Sequence, residues 1–68
     1  MAMPNNIASN LKKIRNKKGY SLEKVARLGD LSLNTVVKVE NGTNTNPTIE
    51  TLTKIAKALE IGVDNLIK

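Results

Sequence analysis

The chain has no cysteine, no histidine, no tryptophan and no phenylalanine, and Tyr20 is its single aromatic residue. Without cysteine there are no disulfide staples, and without cysteine or histidine the usual zinc sites cannot be built. No metal or cofactor is therefore expected. The same absences argue against an enzyme. A nucleophilic Ser or Thr would have no imidazole base, and Glu23, Asp30, Glu40, Glu50, Glu60 and Asp64 are scattered without a motif that pairs them for acid–base work. No apolar run approaches the ~20 residues needed to cross a bilayer, and the first residues lack the apolar stretch of a signal peptide. A cytoplasmic protein with no membrane association is expected, in which the glycosylation sequon at Asn41-Gly42-Thr43 is a coincidence.

What is present is aliphatic and basic. Sixty-eight residues make one small domain, residues 1–68, that buries roughly 60% of its surface on folding. Its stability must come from packed Leu, Ile, Val and Ala side chains, with a dimer interface as a further source. No small-molecule ligand is expected, because so short a chain leaves no room for an effector pocket. The formal net charge of +5 is concentrated: Lys12, Lys13, Arg15, Lys17 and Lys18 lie within the first twenty residues with no acid among them, while beyond Tyr20 acids and bases balance. Such a segment is the footprint of a face that binds a polyanion, or else a solvated lysine-rich helix.

Hydrophobic spacing predicts five helices and no strand. Ile7, Leu11 and Ile14 give one apolar stripe over residues 6–18, with Asn5 or Asn6 as the cap and Gly19 as the left-handed stop. Ser21 caps a second helix with Leu22, Val25 and Ala26 as apolar positions. Gly29 and Asp30 both tolerate positive φ and turn the chain. Ser32 caps a third helix over about 33–41, with Val36 and Val39 inward and Asn41-Gly42 as its end. Val36, Val37 and Val39 are poor helix formers and taken alone could be a strand, but the cap, the stop and the lack of a pairing strand favour helix. After a polar loop ending at Pro47, Thr48 caps a fourth helix with Ile49, Leu52, Ile55, Ala56 and Leu59 at helical spacing to about residue 60. A last half-turn carries Val63, Asp64, Leu66 and Ile67.

Two short amphipathic helices joined by a tight turn over about 21–41 form a helix-turn-helix, the unit whose second helix enters the major groove of DNA. The chemistry of that helix fits the role. The Asn34 amide can accept from adenine N6 and donate to N7, a fit worth ~1–3 kcal/mol of discrimination, and Lys38 can donate to guanine or phosphate. Leu33 and Val37 can make only apolar contact, most usefully with a thymine methyl. The plainer alternatives are solvated polar residues for Asn34 and Lys38, and scaffold or interface for Leu33 and Val37.

The order of these elements and the residues at their joints resemble the lambda-repressor-like helix-turn-helix domain, the Cro and Xre type of transcriptional regulator. The resemblance is carried from about Ile7 to Ile67 by LKKIRNKKGYS, Ala26 six residues before Ser32, the VENG closing the third helix, NPTIETLTKIAKAL and VDNLI. It implies an all-α, five-helix domain in which 33–41 is the recognition helix. Leu33, Asn34, Val37 and Lys38 would then contact bases, while Lys12, Lys17, Ser21, Ser32, Thr35, Asn41 and Asn44 contact the DNA backbone. It further implies an Arg15–Glu40 structural ion pair, the alternative for Glu40 being an exposed helix-end acid. The implied partner is double-stranded DNA, bound as a homodimer on a two-fold operator, most naturally as a repressor. Val63, Leu66 and Ile67 would form the dimer interface, or simply close the core. Leu22 stands where the family usually has Gln, Asp30 stands where it usually has Gly, and the recognition face is unusually apolar. A protein-interaction module on the same scaffold, antitoxin-like or partner-sensing, would instead use Leu22, Leu33 and Val37 as an exposed patch.

Overall fold

Five helices follow one another in the computed structural model, which describes residues 6–68: α1 (Ile7–Lys18), α2 (Leu22–Leu28), α3 (Leu33–Glu40), α4 (Ile49–Leu59) and α5 (Val63–Ile67). There is no strand among the described residues. The valine-rich segment is helical because Ser32 Oγ accepts from the Thr35 N–H at 3.1 Å and Val36 and Val39 are buried. Tertiary burial outweighs the few tenths of a kcal/mol that each valine costs a helix. Ser21 and Thr48 cap α2 and α4 in the same way, accepting from Lys24 and Thr51 N–H. Gly19 ends α1 at φ 73°.

The core is Leu11 from α1, Val25 and Ala26 from α2, Val36 and Val39 from α3, Leu52, Ile55, Ala58 and Leu59 from α4, and Leu66 from α5. α3 packs on α1 and α2, α4 on α2 and α5, and α5 closes on α1. No aromatic ring takes part beyond Tyr20, which packs at the edge with Ile7, Ile14, Leu22, Leu31, Ile61 and Val63.

Several expectations are corrected. α3 ends at Glu40 with Asn41 as its cap residue, and α4 ends at Leu59 because Glu60 turns left-handed at φ 60°. Ile49 is 70% exposed and so leaves the inward stripe of α4. Asn5 lies outside the described residues. Asn6 occupies the cap position of α1, but its side chain does not cap that helix; its amide donates to the Lys68 carbonyl at 3.0 Å. Asn10 donates to the Leu66 carbonyl at 2.8 Å, so α1 supplies donors for the orphan carbonyls of the short α5. In the α2–α3 turn the left-handed residue is Asp30, at φ 55°, while Gly29 sits at φ −91°. Glycine is needed at 29 for a different reason: a Cβ there would lie 2.9 Å from the Lys54 carbonyl oxygen of α4.

Candidate nucleic-acid interface

Burial of Val36 and Val39 fixes which side of α3 faces outward. With 100° between successive residues, Leu33, Asn34 and Lys38 fall on the far side and are exposed, Leu33 by 42%. Val37 is half-buried, flanking this face and contributing only part of its side chain. No residue among the described ones hydrogen-bonds or pairs with the Asn34 amide or the Lys38 ammonium. The helix therefore presents one uncommitted amide and one uncommitted cation beside an apolar ridge.

A three-way clamp holds α3 in place. Arg15 of α1 donates from Nε to Glu40 Oε1 at 2.6 Å and from Nη2 to Oε2 at 2.9 Å. Its Nη1 donates to the Tyr20 carbonyl at 2.7 Å, joining α1, the α1–α2 loop and the end of α3 at one guanidinium. Side-chain exposure is 14% for Arg15 and 11% for Glu40, so water competes weakly for either group. Its hydrogen bonding to the Glu40 carboxylate raises the pKa of Arg15 above its ordinary value despite the opposing cost of desolvation. The fork of donors is what lysine could not supply at this position.

The residues expected at the DNA backbone divide into those already placed on the α3 side and those that are not. Ser32 and Thr35 hydroxyls are 2.7 Å apart and share one hydrogen bond, so one of their two protons is left for an outside acceptor. Asn41 and Asn44 spend their Oδ1 atoms on the Thr43 and Asn46 N–H groups at 2.9 and 3.1 Å, which leaves their amide N–H groups as donors. Ser21 Oγ is committed to the Lys24 N–H at 3.0 Å and is exposed. Lys12 stands three residues before Arg15, on the face of α1 turned to α3. Lys17 stands seven residues after Asn10, on the face turned to α5. Lys12 and Lys17 therefore stand on different sides of α1, both exposed. The Ser/Thr-x-x-Thr spacing of α3 recurs at Thr48 and Thr51, whose hydroxyls lie 3.0 Å apart.

The expected dimer cluster is broken up. Leu66 is 0% exposed in the core, Val63 packs against it, and only Ile67 of the three is exposed, by 50%. Leu66 belongs to the buried cluster that includes Leu11 and Leu59, so its side chain is withdrawn from the surface. The apolar patch required by an interaction module is also reduced, since Leu22 packs partly on the core and Val37 is half-buried. Among the described residues no helix is long and apolar enough to cross a membrane.

A profile of the family described as Helix-turn-helix matches residues 11–66. The HTH-type transcriptional regulator SinR of Bacillus subtilis (strain 168) is 31% identical over 61 residues, covering 90% of this chain and 55% of SinR, so the chain spans about half the length of that relative. The crystal structure of the restriction-modification controller protein C.AhdI from Aeromonas hydrophila is similar at a TM-score of 0.85 and 32% identity, with 91% of this chain and 92% of that chain covered. The structure of SinR, the master regulator for biofilm formation, in complex with DNA is similar at 0.83 and 32% identity, covering 88% and 95%.

Proposed function

This chain belongs to the helix-turn-helix family, and on that premise we propose that it is a sequence-specific DNA-binding transcriptional regulator, a repressor that reads the major groove with α3. The observation that carries the reading is the outer face of α3: Leu33, Asn34 and Lys38 stand uncovered on a helix whose angle is locked by Arg15 and Glu40. Asn34 and Lys38 choose the site, with Leu33 and the edge of Val37 beside them. Lys12, Ser32, Thr35, Asn41 and Asn44 grip phosphates and set the register, since backbone contacts position and base contacts specify. The partner is double-stranded DNA, the compartment the cytoplasm, and the role is binding without catalysis. The similarity to SinR, solved with DNA, supports this reading.

The protein binds as a homodimer on a two-fold operator, with half-sites about 34 Å apart. Ile67 and the exposed edge of Val63 are the residues of α5 left to form that interface. Selection of bound duplexes from a random pool tests the proposal. A two-fold symmetric consensus is the expected result, and a pool that stays unenriched after repeated rounds would contradict it.

A further inference from the structure

The outer face of α3 is two parallel ridges of unlike chemistry. Asn34 and Lys38, four residues apart, form a polar one; Leu33 and Val37, also four apart, form an apolar one directly beside it. An exposed leucine on the first turn of a helix is unfavourable in water, and among the described residues none covers it fully: Leu33 is 42% exposed at the rim of an open hollow of about 460 Å³ between α2 and α3. Neither Leu33 nor Val37 has a donor or acceptor to offer a base edge. Pressed against guanine O6 or N7, they would strip water from an acceptor and return nothing. The one apolar group that a base pair shows in the major groove is the C5-methyl of thymine.

We infer that the Leu33–Val37 ridge reads C5-methyl groups of thymine on two nearby base pairs, so that the operator is chosen by methyl groups as well as by hydrogen bonds. The inference rests on the DNA-binding reading above. Four residues of helix advance about 6 Å, and stacked base pairs are about 3.4 Å apart, so the two side chains address pairs within two steps of each other. Asn34 and Lys38, at the same spacing on the adjacent ridge, address the hydrogen-bonding edges of the same short run. A cytosine at either methyl-reading position loses the apolar contact, and 5-methylcytosine restores it.

The test uses the operator enriched by selection, resynthesised with each thymine in turn replaced by deoxyuridine, which deletes the methyl and keeps every hydrogen-bonding group. The intact chain should lose about fourfold in affinity at one or two positions in each half-site, the fold-change expected for one buried methyl. Leu33→Ala, an exposed change that leaves the core untouched, should bind the thymine operator more weakly and no longer distinguish uracil at one of those positions. Val37→Ser removes both γ-methyls and should do the same at the other. Cytosine at a methyl-reading position should recover about fourfold on C5 methylation. Indifference of the intact chain to uracil at every position overturns the inference and leaves the proposed function standing. A uracil penalty that persists undiminished in both variants also overturns it. Failure to enrich any operator overturns the DNA-binding reading and this inference with it.

Discussion

Removal of the Arg15 side chain should both destabilise the domain and loosen the recognition helix. Arg15→Ala deletes two charge-assisted hydrogen bonds to Glu40 and one to the Tyr20 carbonyl, and leaves a carboxylate at 11% exposure without a partner. Breaking a buried pair on one side costs ~3–5 kcal/mol, and the residual solvent access here puts the expectation at about 3 kcal/mol. A domain of this length has a total stability of roughly 3–10 kcal/mol, so the loss is a large share of it. At about 4–8 °C per kcal/mol for a domain this small, the melting temperature should fall by roughly 12–24 °C. Thermal unfolding followed by circular dichroism at several protein concentrations measures it. Arg15→Lys should recover only part of the loss, because an ammonium cannot make the same planar fork. Replacing both partners, Arg15→Met with Glu40→Leu, should be better tolerated than either single truncation, since no charge is then stranded. The raised pKa of Arg15 means that its contribution is fully present below the ordinary arginine pKa and is lost only as pH climbs past the folded value, in strong alkali. Stability up to about pH 10 should therefore be insensitive to this group. An Arg15→Ala loss below about 1 kcal/mol, the value typical of solvated ion pairs, would refute the clamp.

Gly29→Ala should cost about 1–3 kcal/mol, because its Cβ meets a backbone carbonyl of α4 that cannot rotate away; urea denaturation would show it, and a neutral result would contradict the close approach. Asp30→Gly should raise stability by up to about 1 kcal/mol by relieving a left-handed residue, and should tighten DNA binding slightly by removing an acid near the phosphates. Asn10→Leu should lower the melting temperature by about 4–8 °C, as α5 loses the donor to the Leu66 carbonyl. Affinity for the selected operator should fall ~10³–10⁵-fold between 50 and 200 mM salt if a dimer engages about 6–10 phosphates, and a flat titration would count against backbone contacts.

The helices were legible because their boundaries are written in local chemistry. Ser21, Ser32 and Thr48 each accept from the N–H three residues on, and Gly19 stops α1 in the conformation that costs it least. The facing of α3 was legible from Val36 and Val39. The Arg15–Glu40 pair came from the resemblance alone, since nothing in its twenty-five-residue separation forces contact. What stayed hidden depends on partners distant in sequence. Asn6 and Asn10 read as an ordinary cap and an ordinary polar residue until α5 is seen to lay its carbonyls against them. Gly29 read as a turn former because the Lys54 carbonyl that excludes a side chain belongs to another helix. In the final half-turn, five residues are too few for a periodicity that separates the buried Leu66 from the exposed Ile67.

The claim that α3 reads bases is tested most directly by the ratio of affinities for the selected operator and a scrambled duplex, measured by fluorescence anisotropy for the intact chain and for Asn34→Ala/Lys38→Ala. Both substituted side chains are exposed, so folding should be preserved. The ratio should collapse toward one in the double variant while affinity for scrambled DNA changes by less than about tenfold. An undiminished ratio would show that the site is chosen by some other surface.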